Sequence, residues 1–505
     1  MHMLKLSEQQ HPLMWLLGSL LAVMLCLLAA CLVLNDGQFF YTLDDPYIHL
    51  ALAERIGRGH YGINDGEFAS PSSSVLWPFL LVLPAYFPWG HLVPLMANMG
   101  LCLATAALAY RAFCYVYSAV LAAWATFGLL VATGTLALVF TGMEHSLQLL
   151  LTVAIISAMI DLTERRALPR WLMAALIMAP LVRYEMLGVS LGAVVLLMLY
   201  RRFQFAWALV EIGLLLGGFS LVLWWQSGEL LPSSVMAKYF YSGSWDNTLP
   251  MLAALAMLGW FGFMLRKEKR QILLIVYTAC IIIAQLLFGK TGWFSRYEVY
   301  AFAAGVFMVL YYLPRLGGRR LKHPINATLA AILVLTICNI YLKTTISIPH
   351  ASHEIFGQQG QLRRLLEETG MPDAAVNDIG LASYKNRSYV LDLWGLVQPE
   401  VRYRRIVKDH DILELVAQHN IKLVMMYRRL YPAEIIPPQW VLLGTLEHPV
   451  DEFFLSPLGG KQVDIYATTL KEAQAFRPAL RRWREGLPDS RRWQAERVSP
   501  NPYKN

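Results

Sequence analysis

The chain has 505 residues, of which 56% are hydrophobic and 15% charged, with a formal net charge of +8. A soluble multidomain protein runs nearer a quarter charged, so a bilayer is the solvent this composition suits. The basic residues fall mostly in short loops between apolar runs, which marks membrane topology and excludes a polyanion-binding face.

The run 13–34 is unbroken and apolar, about the length a bilayer core of roughly 30 Å requires, and it has no small-residue cleavage site; it is expected to be an uncleaved first span. Four basic loops follow at Arg165–Arg170, Arg201–Arg202, Arg266–Arg270 and Arg315–Lys322. Placed in the cytoplasm, they fix the alternation of eight spans: 146–160, 171–183, 185–200, 204–226, 248–265, 271–289, 298–314 and 325–346. Ahead of them parity allows two more crossings, yet three apolar stretches occur, at 75–87, 91–110 and 118–140. The first is shortest and carries Pro78 and Pro84, so it is assigned to the outer interface. The expected architecture is a helical polytopic membrane domain of about eleven spans over 1–346, with its N-terminus inside and a first outer loop at 35–90.

From residue 347 the pattern changes. LRRLLEETG reads as a helix, AAVND as a strand, YVLDLWG as another, ILELVAQHN as a helix and IKLVMMY as a strand, an α/β domain expected over 347–476 on the extracytoplasmic side. The remainder, 477–505, is polar and expected to be loosely ordered. The six cysteines lie in or beside apolar segments and suggest neither a disulfide framework nor a metal site.

The groups able to do chemistry gather on the face opposite the basic loops. Asp44 and Asp45 are adjacent directly after the first span; neighbouring carboxylates raise one pKa or recruit a divalent cation, which suits a general base or a metal-held phosphate. Asp at this position also reads as a cap for the helix that follows. His49 would lie on that helix. Glu144 and His145 sit in TGMEHS, Arg183 and Glu185 interrupt a long apolar run, Lys238 follows LLPSSVMA, and Arg296 and Glu298 sit in GWFSRYEVY. An ionisable side chain beside a span costs a few kilocalories per mole unless it meets a partner or water, so each is a functional candidate. Arg183 and Glu185 pairing with each other, or Arg296 reaching for the interface, are the structural alternatives.

The run DDPYIHLALAERIGRGHYGIN followed by SPSSSVLWPFLL resembles the first outer loop of GT-C glycosyltransferases, polytopic enzymes that use polyprenyl-phosphate-linked sugars. The order of Asp44-Asp45 with Tyr47, Gly142-Met143-Glu144, Arg183-Tyr184-Glu185, Leu231-Pro232-Ser233-Ser234 with Lys238, and Arg296-Tyr297-Glu298 is similar to the bacterial arabinofuranosyltransferase-like branch. His49 departs from that pattern. The resemblance implies inverting transfer of a glycosyl residue to a glycan, lipid or protein acceptor on the periplasmic face of a bacterial inner membrane. Asp44 or Asp45 would be the base. Tyr47, His49, Glu144, His145, Arg183, Glu185, Lys238, Arg296, Tyr297 and Glu298 would bind substrate or donor phosphate, and a divalent cation, Mg or Mn, would bind at Asp45 if one is used. A transporter or flippase of a lipid-linked or anionic substrate is the alternative, since charges near a membrane also mark transport paths; charges at one face and the absence of inverted repeats weigh against it.

Overall fold

The computed structural model describes residues 2–165, 167–239, 247–316, 323–406, 413–431, 433–449, 453–488 and 492–494. In hydrocarbon every backbone N–H and C=O must be paired within the chain, and the apolar runs accordingly fold as helices. Seven are long and apolar enough to cross a membrane: Gln10–Leu34, Gly90–Phe113, His145–Arg165, Phe203–Ser227, Lys269–Phe288, Val299–Leu316 and Pro324–Ile346. Four shorter apolar helices, Ala119–Ala132, Leu172–Val182, Tyr184–Leu199 and Leu249–Met264, occupy the other expected positions.

His145–Arg165 is 89% buried and forms the centre of the bundle, whereas Phe203–Ser227 and Pro324–Ile346 are each 17% buried and turn apolar side chains outward. The 21-residue central helix separates two chemically distinct ends by about 30 Å, at 1.5 Å per residue. One end carries Arg165, whose guanidinium lies over the Tyr115 ring, and Glu164, paired with Arg315 at 2.6 Å. The other carries Glu144 and His145. The basic loops and the candidate site residues therefore lie at opposite ends of the bundle.

Two stretches differ from the sequence expectation. The helix expected over 118–140 is broken into Ala119–Ala132 and Thr135–Phe140. At the break the Thr133 hydroxyl donates to the Leu129 carbonyl, 2.9 Å away, and meets the Thr135 hydroxyl at 3.0 Å, so side-chain oxygens replace part of the interrupted ladder. The expected loose tail from 477 begins as a helix: Leu470–Glu485 extends into it as far as Glu485, because Ala473, Phe476, Ala479 and Trp483 recur at helical spacing and are buried. Residues 495–505 lie outside the described residues.

The stretch 75–87 forms two single-turn helices, Trp77–Leu80 and Val82–Ala85, with Phe79, Leu83, Tyr86 and Phe87 exposed. Neither is long enough to cross, and the exposed rings suit an interface.

The C-terminal region builds one six-stranded sheet in the order β2-β1-β3-β5-β4-β6, with β1 Ala374–Val376, β2 Val390–Asp392, β3 Leu423–Tyr427, β4 Val441–Glu447, β5 Gln462–Ala467 and β6 Arg492–Gln494. β1 pairs in parallel with β2 and β3; the remaining pairings are antiparallel. The helix Ile348–Ile355 continues through a wide turn, Phe356–Gly360, into Gln361–Glu368. The sheet domain sits on the segment that follows the first long helix. Asn64 exchanges two hydrogen bonds with the backbone of Val390 at 2.9 and 3.0 Å, Arg55 donates to the Asn386 carbonyl at 2.8 Å, and Tyr389 donates to Glu67 at 2.8 Å.

Candidate active site

Asp44 is the residue before the helix Asp45–Ile56, but its side chain makes no capping bond. Its carboxylate instead crosses to the sheet domain and accepts the Gly380 amide at 2.6 Å and the Leu381 amide at 2.9 Å. These amides begin the short helix Gly380–Ser383, which follows the end of β1. A Cβ at Gly380 would stand 2.1 Å from the Asp44 carbonyl oxygen, so only glycine lets the two backbones approach. Burial first, then the neighbouring Asp378 carboxylate, push Asp44 up to about 8 against the pull of the two amides. Asp378 is itself raised, chiefly by burial, and accepts from Gln359 at 2.7 Å and from the Tyr427 hydroxyl. The wide turn Phe356–Gly360 aims Gln358 and Gln359 at this group, as such turns often do at functional sites. Sequence reasoning missed Asp378, Gln359 and Tyr427. The signal for Asp378 was its place just beyond the carboxyl end of a parallel strand, where open α/β sheets carry their sites.

Asp45 faces the other way. Its Oδ1 accepts from Arg296 Nη2 at 2.9 Å, and Arg296 Nη2 also donates to the Tyr297 hydroxyl at 2.9 Å. The guanidinium is 1% exposed, and its Nε and Nη1 have no hydrogen-bond partner among the described residues. The turn that delivers Arg296 is left-handed throughout: Gly292, Trp293, Phe294 and Ser295 have φ of 88°, 49°, 63° and 54°. For the three non-glycine residues this costs roughly 1–2 kcal/mol each, strain that clusters at functional sites.

The Tyr297 ring lies between two arginines, 4.9 Å from Arg296 Cζ and 5.5 Å from Arg183 Cζ, with the His145 ring edge-on at 5.8 Å. Arg183 and Glu185 do pair, at 2.7 Å, but Arg183 also holds the fully buried Glu144 at 2.8 Å and Ser73 at 3.2 Å. His49 approaches Glu144 at 3.8 Å and Ser72 at 3.2 Å. Burial raises Glu144, but His49 and Arg183 together outweigh it and hold the carboxyl below its usual range. The left-handed Gly142 (φ 64°) lets this loop turn, and a Cβ there would strike the Tyr41 ring at 2.5 Å.

Asp45, His49, Glu144, His145, Arg183, Glu185, Arg296 and Tyr297 thus form one contiguous cluster, from segments as much as 251 residues apart. Glu298 adjoins it without joining either arginine: it accepts from Asn247 at 2.6 Å and from the Gly292 amide at 2.9 Å, bracing the left-handed turn. Burial pushes it up to about 7. Tyr47 lies on the far side of the helix, its hydroxyl accepting the Tyr41 amide at 3.3 Å. The side chain of Lys238 lies outside the described residues. Among the described residues no group of three or more His, Cys, Asp or Glu side chains is arranged to hold a metal ion, and one oxygen of Asp45, Oδ1, accepts from Arg296.

No curated protein matches the chain in sequence. Residues 353–466 match the model of a domain of unknown function (DUF8728). Among solved structures, the chain is similar to ArnT from Cupriavidus metallidurans bound to undecaprenyl phosphate, with 13% identity, a TM-score of 0.53, and 90% of this chain and 99% of ArnT covered. The apo form of ArnT gives a TM-score of 0.55 at 13% identity, covering 90% and 98%. A structure of the Archaeoglobus fulgidus oligosaccharyltransferase with Zn and sulfate gives 0.41 at 11% identity, covering 85% of this chain and 72% of that one. Over nine-tenths of its length, membrane helices and sheet domain together, this chain has the GT-C fold.

Proposed function

We propose that the protein transfers a glycosyl residue from a polyprenyl-phosphate-linked donor to an acceptor, with inversion, on the periplasmic face of a bacterial inner membrane. The observation that carries this reading is Arg296: a buried guanidinium with two nitrogens, Nε and Nη1, unpartnered among the described residues, on a strained turn, beside an aspartate pair. Planar N–H forks match phosphate oxygens, and charge-assisted bonds in a water-poor site are strong. The undecaprenyl phosphate named with ArnT supports the same donor class.

In the proposed reaction the acceptor hydroxyl oxygen attacks the anomeric carbon and its proton passes to an aspartate of the pair. The new C–O bond forms as the bond from that carbon to the phosphate oxygen breaks, and polyprenyl phosphate leaves with the electron pair. Asp44 is assigned as base: its raised pKa lies near a neutral working pH, and each oxygen accepts one amide, leaving lone pairs for a proton. Asp45 orients Arg296, and Arg296 with Arg183 receives the charge that develops on the phosphate. A divalent cation is kept as a separate question, answered by assaying with and without chelator. The likeness to the arabinofuranosyltransferase-like branch rests on the sequence motifs, and the sugar is left open.

The direct test is to incubate the purified protein with a panel of polyprenyl-phosphate sugars and measure polyprenyl phosphate release. No release from any donor, with the fold intact, overturns the reading.

The orientation has its own test. With eleven crossings and the N-terminus in the cytoplasm, a reporter fused after Arg270 reports cytoplasm and one after Ser352 reports periplasm. A periplasmic signal from the Arg270 fusion would place the aspartate pair on the wrong face.

A further inference from the structure

A non-glycine residue stays in the left-handed region only where its surroundings hold it there, and Trp293, Phe294 and Ser295 occupy that region in succession just ahead of Arg296. Two side chains close on this turn. The Glu298 carboxylate accepts the Gly292 amide at 2.9 Å and so fixes the start of the turn. The Asn247 amide fixes its end, donating to the Ser295 hydroxyl at 3.0 Å and to the other oxygen of Glu298 at 2.6 Å.

The bonding continues into a neighbouring helix. Thr344 donates its hydroxyl hydrogen to the Ile340 carbonyl at 2.8 Å, so the Ser295 hydroxyl, 3.2 Å away, donates to Thr344 and accepts from Asn247. Asn247 lies just ahead of the helix Leu249–Met264 and Thr344 lies on Pro324–Ile346, so the turn is tied to two helices besides the one it begins. All four side chains are buried, where water cannot replace a lost bond. The guanidinium has no such hold of its own. Its bonds to Asp45 and Tyr297 both leave from Nη2, so the direction of Nε and Nη1 depends on the backbone that carries them.

We propose that Asn247 and Glu298 are positioning residues, which hold the turn in its left-handed form and thereby fix the direction of Arg296. The inference rests on the reading of Arg296 as the phosphate-binding group of a transferase. Glu298, a substrate-binding candidate by motif, acts at one remove from the substrate, and Asn247 has the same role without any motif to mark it. Without Asn247, Ser295 loses the donor that ties it to Glu298, residues 293–295 relax toward the right-handed region and Arg296 leaves its place. Glycine occupies the left-handed region about as readily as the right-handed one, so a glycine at 293 offsets that loss. Trp293 is 53% exposed, and removing its ring opens no core cavity.

The test is arginine-selective dicarbonyl labelling of the full chain in nanodiscs, read peptide by peptide by mass spectrometry. Arg296, 1% exposed, is protected in the wild type. Asn247→Ala raises its labelling about tenfold, the change in population that about 1.4 kcal/mol gives. Glu298→Gln, which turns an NH2 toward one of two donors, raises it as well. Arg183 stays protected in both, which shows that the bundle is folded. Adding Trp293→Gly to Asn247→Ala returns Arg296 toward wild-type protection, and undecaprenyl phosphate stabilises this double variant against heat more than it does Asn247→Ala. Protection of Arg296 in both single variants overturns the proposal. So does labelling that Trp293→Gly leaves raised, or Arg183 labelled alongside Arg296 in both, because packing rather than backbone direction would then be lost. Labelling needs no ligand, so its failure is distinct from a failure of any donor to turn over.

Discussion

Asn at position 44 removes transfer while the protein still inserts, and Asn at 45 weakens it by a different route. An amide cannot take the acceptor's proton, so Asp44→Asn loses the general-base contribution of about a hundredfold to ten-thousandfold. It also turns an NH2 toward one of the two amides that Asp44 now satisfies, at a cost of roughly 1–3 kcal/mol in stability. Gly380→Ala separates the two effects, because it opens the same clasp sterically and leaves the carboxylate in place. If both 380 and 44 variants lose stability but only Asp44→Asn loses turnover at saturating acceptor, Asp44 is the base. Near-normal transfer by Asp44→Asn makes it a clasp only, and near-normal transfer by both Asn variants removes the pair from the chemistry.

The pH dependence of the same residue divides activity from stability. A carboxyl raised to about 8 in the folded chain stabilises it fully below the ordinary carboxylate range, and that contribution is lost as pH rises through 8. A base must be ionised, so turnover rises over the same interval. The unfolding midpoint should therefore fall as kcat climbs, and Asp44→Asn should flatten both profiles. A wild-type rate that is level from pH 5 to 9 would place the base elsewhere.

Arg296→Ala abolishes the stabilisation that undecaprenyl phosphate gives the wild-type protein against thermal unfolding. A ligand that binds only the folded state raises stability in proportion to the logarithm of its concentration over Kd, and here the ligand's oxygens meet Nε and Nη1 of Arg296, which have no partner among the described residues. Without ligand, the variant is close to wild type in stability, because it removes a buried cation and leaves Asp45, 22% exposed, to be hydrated. Turnover falls by about a hundredfold to a thousandfold, the loss expected when one donor to a developing oxyanion is deleted. Arg296→Lys keeps the charge but not the planar fork, and recovers only part of it. Ligand stabilisation equal to wild type in Arg296→Ala would leave this arginine as a structural partner of Asp45.

Sequence alone determined where the chain meets hydrocarbon and where it does not. Hydropathy and basic loops placed the apolar helices, because a bilayer tolerates only backbone that bonds to itself, and short apolar runs between helical segments located β1 to β3, which are buried throughout. The same patterning put Asp44, Glu144, Arg183 and Arg296 at one end of the bundle, since a charge beside a span is costly anywhere without partner or water. It could not say which partner each would find. Asp45 meets Arg296 across 251 residues and Asp44 meets Gly380 across 336, pairings that no local spacing encodes. Tertiary packing also decided that Tyr47 turns away from the cluster, that Asp378 joins Asp44, that 118–140 breaks, and that four left-handed residues deliver Arg296. Hydropathy fixes the depth of a segment in the bilayer. Which neighbour a side chain faces is set only when helices and sheet domain pack together.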